Sequence, residues 1–315
     1  MKRGGALPPT VRVPRPLPGR VEAELSRRFR VVDEVAGAEG LVALLSERVD
    51  DELLDAAGER LRVVANFAVG VDNVDVEAAT RRGIVVANTP DVLTRATAEL
   101  TIALLLALVR RVVEGDRLVR AREPWGWGPT FMLGSGLAGR TLGVVGLGRI
   151  GTAVAVLAQA FGMDVVYSAR RPRQDGPWRQ VSLGTLLEAC DVVSLHAPLT
   201  PETRHLIGAA ELSAMKPGAV LVNTARGALL DESALAGALE SGEIAGAALD
   251  VFEREPEVEA RLLTLPTVVL TPHLGSATTE TREAMGMLCV EALTAVLLEG
   301  RLPANVVNRD VRLRA

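Results

Sequence analysis

Three glycines at a fixed spacing constrain the fold of this chain more than any other feature. Residues 141–151 read TLGVVGLGRIG, so Gly146, Gly148 and Gly151 form a G-x-G-x-x-G turn after an apolar strand and before a helical run at 152–161. The first glycine permits a tight turn, the second lets the backbone approach a pyrophosphate, and the third lets strand and helix pack closely. The helix N-terminus offers N–H groups and a positive dipole to phosphates. The segment predicts a dinucleotide-binding unit.

The pattern around this turn predicts an α/β fold. Short β-branched runs alternate with helix-like stretches along almost the whole chain, which is typical of parallel sheets built from strand-helix-strand units. The predicted strands are 11–13, 30–32, 62–65 and 84–87 in the first part, and 142–145, 164–167, 192–195, 219–222, 245–249 and 268–270 in the second. The predicted helices are 21–28, 40–45, 74–82, 94–113, 152–161 and 278–298. The helix at 94–113 is apolar on every face near its centre, so we expect it to be buried all round.

Length and composition limit the class of protein. At 315 residues the chain is long enough for two domains of about 100–200 residues each. With 48% hydrophobic residues, 23% charged residues and a formal net charge of −4, it fits a folded protein and gives no indication of nucleic-acid binding. The longest apolar stretch, 102–109, is far shorter than the roughly 20 residues of a membrane helix, so we expect no membrane partner.

The cysteines and the N-terminus indicate a compartment. Cys190 and Cys289 fit no metal spacing and lie in apolar surroundings, which favours buried free thiols. Residues 4–9, GGALPP, stand where an export signal would place its apolar core, and their glycines and prolines do not fit one, so no export signal is predicted. We therefore expect a cytoplasmic protein without a bound metal.

The end of the second strand after the glycine turn bears on cofactor choice. An acidic residue there binds the adenosine ribose of NAD, but this chain has Ser168. Arg170, Arg171 and Arg173 follow, and a guanidinium matches a 2′-phosphate. These residues favour NADP(H), with NAD(H) possible; the alternative is that the arginines belong to a surface turn.

Only three histidines are available for proton transfer near neutral pH. His205 lies in a polar stretch and is expected to be solvated. His196 follows the strand at 192–195 and is expected to line a cofactor site without doing chemistry. His273 follows the strand at 268–270, where the carboxyl ends of strands place functional groups, so its position favours it as the acid/base.

Two further strand ends carry complementary groups. The strand at 219–222 runs into Asn-Thr-Ala-Arg-Gly, which ends with Arg226 and Gly227, and the strand at 245–249 runs into Asp-Val-Phe-Glu-Arg-Glu-Pro at 250–256. An arginine can bind a carboxylate through two hydrogen bonds, and a carboxylate beside an imidazole stabilises its charged form. Together with the glycine turn, they suggest hydride transfer to or from a small anionic substrate.

These motifs resemble those of the D-isomer-specific 2-hydroxyacid dehydrogenases. The resemblance covers nearly the whole chain, about 11–311, with its motifs in the same order and spacing. The matching segments are 67–75, 88–94, 98–106, 146–151, 195–200, 223–227, 249–256 and 272–278. Within the family, the tryptophan-containing segment 125–134 is most similar to the glyoxylate/hydroxypyruvate reductase branch, and 167–173 to NADP-preferring members of that branch.

The resemblance implies a role for each matching residue. Arg226 would bind the substrate carboxylate, Glu255 would hydrogen-bond His273, and His273 would donate the proton. Val69 and Gly70 would offer backbone N–H groups to the carboxylate. The implied cofactor-binding residues, among which Asp250 would orient the nicotinamide amide, are Gly146, Gly148, Arg149, Ile150, Gly151, Ser168, Arg170, Arg171, His196, Pro198, Thr203, Thr224, Ala225, Asp250 and Gly275.

The family also implies an architecture and partners. Two Rossmann-like or flavodoxin-like parallel-sheet domains would flank an interdomain cleft, with residues 1–98 and 281–315 in the substrate domain and 99–280 in the dinucleotide-binding domain. We expect a homodimer, with residues 100–109 and the tryptophan-containing segment 125–134, called here the tryptophan loop, at or near its interface. The alternatives are a 3-phosphoglycerate or D-lactate type of dehydrogenase, or a dinucleotide-sensing protein similar to the corepressors that share this fold. The absence of basic residues within 67–75 argues against a phosphorylated substrate.

Overall fold

The computed structural model describes residues 7–173 and 176–313, and these form two units. The first unit joins the residues up to Leu93 with those from Ser276 onward, and the second unit is Thr94–Gly275. The domain ranges drawn from the sequence, 1–98 with 281–315 and 99–280, stay predictions. Their residues 1–6, 174, 175, 314 and 315 lie outside the described part of the chain.

The first unit is built on a five-stranded parallel sheet. Its elements up to Leu93 are β1 (Thr10–Arg12), α1 (Val21–Arg28), β2 (Arg30–Val32), β3 (Gly40–Ala43), α2 (Asp51–Ala57), β4 (Val63–Asn66), α3 (Val76–Arg81) and β5 (Val85–Ala87). The strand order is β2-β1-β3-β4-β5, which is the flavodoxin-like order that the family resemblance implies.

The helix predicted at 40–45 is wrong, because this segment is strand β3. All four residues of β3 are buried. A central strand of a parallel sheet is covered on both faces and reads as a continuous apolar run, which periodicity cannot separate from a buried helix. Helix α2, which follows it, was not predicted.

The second unit is built on a seven-stranded parallel sheet. Its elements are α4 (Thr94–Val109), α5 (Val112–Arg120), β6 (Thr141–Val145), α6 (Arg149–Ala160), β7 (Asp164–Ser168), β8 (Arg179–Gln180), α7 (Leu183–Ala189), β9 (Val192–Leu195), α8 (Ala209–Ser213), β10 (Val220–Asn223), α9 (Glu232–Ser241), β11 (Gly246–Leu249) and β12 (Val268–Leu270). The order is β12-β11-β10-β9-β6-β7-β8. The direction of winding therefore reverses between β6 and β9, the switch point where dinucleotides bind in such sheets. The expected α/β fold class is confirmed.

Several details of this unit differ from the sequence-based expectation, and α7, α8 and α9 were not predicted. The predicted helix 94–113 ends at Val109, because Arg111 adopts a left-handed conformation with φ of 54° and starts a second helix. Helix α4 is not buried all round, since Ala103 is exposed and Leu106 to Val109 are half-buried. The two-residue edge strand β8 was not predicted, because its residues are exposed and polar.

The last helix, α10 (Thr279–Leu297), returns to the first unit. Thr278 caps it by accepting a hydrogen bond from the Thr281 N–H at 3.1 Å. It packs closely on the sheet, because a Cβ on Gly40 of β3 would lie 2.6 Å from the Leu293 side chain. Among the helices of the described residues, none has the length and apolar character needed to cross a bilayer.

Candidate active site

The glycine turn lies at the carboxyl end of β6 and fits a pyrophosphate. Gly146 has φ of 96°, and a Cβ there would lie 2.7 Å from backbone atoms of His196 and Ala197. A Cβ on Gly151 would clash with the Gly146 carbonyl oxygen. By contrast, a Cβ on Gly148 would meet no described atom within 4 Å, so the space beside it is open. Gly148 is the N-cap of α6, which begins with Arg149 and Ile150. The open space therefore lies at a helix N-terminus, the kind of position that binds phosphate.

The end of β7 lies next to this turn. The Ser168 carbonyl accepts a hydrogen bond from the Gly146 N–H at 2.8 Å. Arg170, Arg171 and Arg173 follow on the surface and are exposed. The Arg173 N–H donates to the hydroxyl of the buried Tyr167 at 2.9 Å, which holds the arginine segment against the strand.

His196 is a neutral residue at the carboxyl end of β9. Its N–H donates to the Val145 carbonyl at 2.7 Å, and its ring Nε2 lies 2.8 Å from the Ser194 hydroxyl. Burial lowers the pKa of the His196 imidazole to about 4. His196 is therefore uncharged near neutral pH and does not supply a proton there. In the loop beyond it, the Thr203 hydroxyl donates to the Pro198 carbonyl at 2.7 Å.

His205 and Glu253, the first glutamate of the 250–256 segment, form a separate surface pair. The His205 Nε2 lies 2.8 Å from the Glu253 Oε1, and the Arg204 guanidinium lies 2.6 Å from the same oxygen. His205 is exposed, in keeping with the expectation that it is solvated, and it has a surface ion-pair partner that was not predicted. This pairing also separates the roles of Glu253 and Glu255.

His273 and Glu255 form the central pair of the site. The His273 Nδ1 lies 2.9 Å from the Glu255 Oε2, and the other carboxylate oxygen accepts the Phe252 N–H at 3.0 Å. Burial alone would raise the pKa of the Glu255 carboxyl, but the hydrogen bond and charge of His273, the Phe252 N–H and the charge of Arg226 hold this pKa below its usual value. The pairing uses Nδ1, so Nε2 on the opposite side of the ring is the atom placed to exchange a proton with a substrate.

Asp250 fastens the loop that carries His273. Its carboxylate is fully buried and accepts hydrogen bonds from the Thr271 hydroxyl at 2.6 Å, the Leu274 N–H at 2.7 Å and the Gly275 N–H at 2.8 Å. The His273 N–H donates to the Asp250 carbonyl at 2.8 Å, and His273 has φ of 54°, a left-handed conformation that non-glycine residues rarely adopt. The role of Asp250 toward the nicotinamide stays a prediction.

Arg226 follows β10 and is placed by its neighbours. The Asn223 side-chain amide donates to the Arg226 carbonyl at 2.8 Å, and the Arg226 guanidinium donates to the Ala225 carbonyl at 2.8 Å. A Cβ on Gly227 would clash with the Phe252 backbone, so only glycine lets this loop approach the one that carries Glu255. The buried Thr224 hydroxyl lies 2.8 Å from that of Thr101 on α4.

The residues predicted to bind the substrate carboxylate, Val69 and Gly70, lie in the first unit on the loop after β4 and are partly exposed. No basic residue lies within 67–75, but one from a distant part of the chain lies beside this segment. The guanidinium of Arg282, from the first turn of α10, lies 5.9 Å from the centre of the Phe67 ring. Only the fold brings it there, since more than 200 residues separate the two positions, and no local pattern would have found it.

The described residues contain no group of three or more histidine, cysteine or acidic side chains that could hold a metal ion. A doubly wound sheet with a pyrophosphate turn at its switch point, and a histidine-carboxylate pair at the same edge, is the arrangement of a dehydrogenase that uses a nicotinamide dinucleotide.

Comparison with known proteins agrees with this class. The model of the NAD-binding domain of D-isomer specific 2-hydroxyacid dehydrogenases matches residues 102–275. The chain belongs to the D-isomer specific 2-hydroxyacid dehydrogenase family, and the resemblance drawn from its motifs is confirmed. It is an NAD(P)-dependent oxidoreductase that acts on small 2-oxoacids or D-2-hydroxyacids.

Individual relatives share most of its length. The glyoxylate reductase of Thermococcus litoralis is 50% identical over 290 residues, which cover 89% of this chain and 87% of that protein. The crystal structure of a protein from Thermus thermophilus is 50% identical, with a TM-score of 0.90 and coverage of 95% of this chain and 99% of that chain. An NADPH-dependent glyoxylate/hydroxypyruvate reductase from Sinorhizobium meliloti, solved with NADP and malonate, is 38% identical, with a TM-score of 0.87 and coverage of 98% and 99%.

Proposed function

We propose that this chain is a glyoxylate/hydroxypyruvate reductase that prefers NADPH. The observation that carries the proposal is the 2.9 Å pairing of His273 with Glu255 at the same strand edge as Arg226. The names of the relatives at about 50% identity and of the structural neighbours support the substrate class.

Arg226, His273 and Glu255 each have a distinct role in the proposed reaction. When bound, the cofactor supplies the hydride from C4 of its nicotinamide. Arg226 binds the carboxylate of the 2-oxoacid and polarises the adjacent carbonyl, since a guanidinium can bind two oxygens at once. His273 donates the proton at Nε2 to the oxygen that becomes the hydroxyl. Glu255 fixes the ring through Nδ1 and stabilises its charged form.

The preference for NADPH is supported by the end of β7. Ser168 stands where an acid would bind the adenosine ribose and repel a 2′-phosphate. The exposed Arg170 and Arg171 follow within three residues, and the hydrogen bond from Arg173 to Tyr167 shapes their segment. Arginine suits a phosphate because its donors form a planar fork.

The Val69 and Gly70 N–H groups are also proposed to bind a substrate carboxylate. A small 2-oxoacid with one carboxylate matches this set. Arg282 near Phe67 supplies an additional positive charge beside the same loop, so a phosphorylated or longer oxoacid belongs among the substrates to be tested.

We also propose that the chain forms a homodimer through the second unit. The tryptophan loop exposes Trp125, Trp127 and Leu133, at 58%, 83% and 64% of their surface, and several exposed apolar side chains on one loop are typical of a protein–protein interaction site. A cavity of about 320 Å³ lies at the amino ends of β9, β10 and β12 and includes Leu133 in its lining. A second copy would cover this loop.

The cysteines support a reducing compartment. Burial raises the pKa of the Cys190 thiol to about 11 and that of Cys289 to about 12. Both thiols are free and stay protonated, so neither is poised for disulfide exchange. We propose a cytoplasmic location on this basis.

Initial rates of NADPH and NADH oxidation with glyoxylate, hydroxypyruvate, pyruvate and 3-phosphohydroxypyruvate test the function. The proposal predicts the highest kcat/KM with NADPH and glyoxylate or hydroxypyruvate. A higher kcat/KM with the phosphorylated substrate or pyruvate would assign the chain to another member of the family. Cofactor binding without turnover on any of the four would favour a dinucleotide-sensing protein.

A further inference from the structure

The loop after β4 is held by donors at the ends of two adjacent strands. Asn66 is the last residue of β4, and Asn88 directly follows β5, its parallel neighbour. The Asn88 side-chain amide donates to the Val69 carbonyl at 2.7 Å, and the Thr89 N–H donates to the Ala68 carbonyl at 2.8 Å. The Asn66 amide donates to the Gly70 carbonyl at 2.8 Å. Three successive carbonyls are therefore fixed.

These hydrogen bonds also fix the direction of the N–H groups. In a trans peptide the N–H points opposite to the carbonyl, and the peptide bonds of this loop are trans. Because the Ala68 and Val69 carbonyls both point toward residues 88 and 89, the Val69 and Gly70 N–H groups both point away from them. Consecutive N–H groups on one side of a backbone form an anion-binding concavity.

Asn88 is itself held on both sides. Its N–H donates to the Asn305 carbonyl at 3.3 Å, and the Asn305 side-chain amide donates to the Asn88 carbonyl. The Asn88 backbone is therefore bonded to the C-terminal segment of the same unit, and its side chain is directed to a single acceptor on the loop. The amide is positioned before any anion arrives, which lowers the ordering cost of binding.

A positive charge lies beside the loop. The Arg282 guanidinium is 5.9 Å from the centre of the Phe67 ring, two residues before Val69. A positive charge over the Phe67 ring makes the potential around this part of the loop more favourable to an anion.

We propose that Asn88 is a positioning residue for the substrate carboxylate. By holding the Val69 carbonyl, it directs the Gly70 N–H toward the anion without touching the anion itself. The inference rests on the proposed function in one respect, namely that the anion is the carboxylate of a 2-oxoacid.

Asn88→Ala tests the inference. Without the amide the Val69–Gly70 peptide can rotate, and a misplaced donor loses binding. We expect the KM for glyoxylate to rise about 10- to 100-fold, with kcat and the KM for NADPH little changed. Oxalate, a carboxylate that is not reduced, should bind the protein–NADP⁺ complex more weakly by a similar factor in calorimetry. If Asn88→Ala is not recovered folded, Asn88→Ser removes the same amide and is too short to reach the Val69 carbonyl.

Asn308→Ala is the matched control. Asn308 is a buried asparagine of the same unit that donates to the Ile84 carbonyl at 2.9 Å and accepts the Val86 N–H at 2.8 Å, away from the loop. It should lower the unfolding temperature and leave oxalate affinity unchanged.

Folded Asn88 variants that keep wild-type KM for glyoxylate and wild-type oxalate affinity would overturn the inference. A fall in kcat and in NADPH affinity of the same size as the change in oxalate affinity would also overturn it, because it would indicate a general structural role. Absence of oxoacid reduction by the wild type would instead refute the proposed function, and oxalate binding by the two proteins would still decide the role of Asn88.

Discussion

At the residue scale, the surroundings of the three histidines separate their roles. Burial lowers the pKa of His196 to about 4, and His205 pairs with Glu253 on the surface. His273 has a left-handed backbone conformation, pairs with Glu255 and lies in a loop that is hydrogen-bonded to Asp250. Position along the sequence favoured His273 and the family resemblance implied Glu255 as its partner, and in the structure the second glutamate of the 250–256 segment lies 2.9 Å from its Nδ1.

Replacing His273 tests its assignment as the proton donor. His273→Ala should lower kcat for glyoxylate by about 10²–10⁴-fold, because general acid catalysis contributes roughly that factor. NADPH affinity, measured by fluorescence titration, should remain, since the glycine turn is unchanged. His205→Ala is the matched control and should keep kcat. Substantial turnover by the His273 variant would remove this residue from the mechanism.

The carboxylate beside His273 should set the pH dependence. Reduction needs a protonated imidazole, and Glu255→Gln removes the negative charge that favours this form. The decline of kcat/KM on the alkaline side should therefore begin at lower pH in the variant. In the wild type the pKa of Glu255 is below its usual value, so its contribution to stability is present above about pH 4.3 and is lost as the pH falls through the lowered value. A pH profile of kcat/KM for Glu255→Gln that coincides with the wild-type profile would contradict the pairing of Glu255 with His273.

At the element scale, the sequence predicted most strands of both sheets and the glycine turn, because each carries a strong local signal. Strand β3 was mistaken for a helix, since its buried apolar run has no period. The break at Arg111 was missed because no glycine or proline marks it. Asn88 and Arg282 acquire their neighbours only through the sheet order and the return of α10, so no local pattern could assign them a role.

The segment after β7 should determine the choice between the two dinucleotides. Arg170→Ala/Arg171→Ala should raise the KM for NADPH by at least about 10- to 100-fold, because even one hydrogen bond to a charged group is worth roughly 1.5–3 kcal/mol. The KM for NADH should change little. Arg309→Ala, an exposed arginine of the other unit, controls for the loss of charge. Equal effects on both cofactors would contradict the proposed 2′-phosphate site.

At the scale of the whole molecule, each of the two units places its functional loops at the carboxyl edge of its own parallel sheet. In the second unit this edge carries the glycine turn, Arg226, Glu255 and His273, while the tryptophan loop precedes β6. In the first unit it carries the loop with Val69 and Gly70. The same rule of parallel sheets therefore accounts for the location of both sets of residues.

The proposed homodimer can be tested through the exposed tryptophans. Light scattering on the wild type should give twice the mass of the 33.3 kDa chain, and Trp125→Ser/Trp127→Ser should shift it toward the monomer. Trp178→Phe, at the third tryptophan and packed within the second unit, should keep the dimer. A monomeric wild type, or a dimer unaffected by the double substitution, would show that the loop does not form the interface.

The central claim is that this protein passes a hydride from a nicotinamide to a 2-oxoacid. The most direct test uses NADPH deuterated at C4 of the nicotinamide, with each face labelled in turn, and mass spectrometry of the product from glyoxylate. The account predicts glycolate that carries one deuterium from one of the two labelled cofactors and none from the other. Unlabelled glycolate from both, or no glycolate at all, would contradict it.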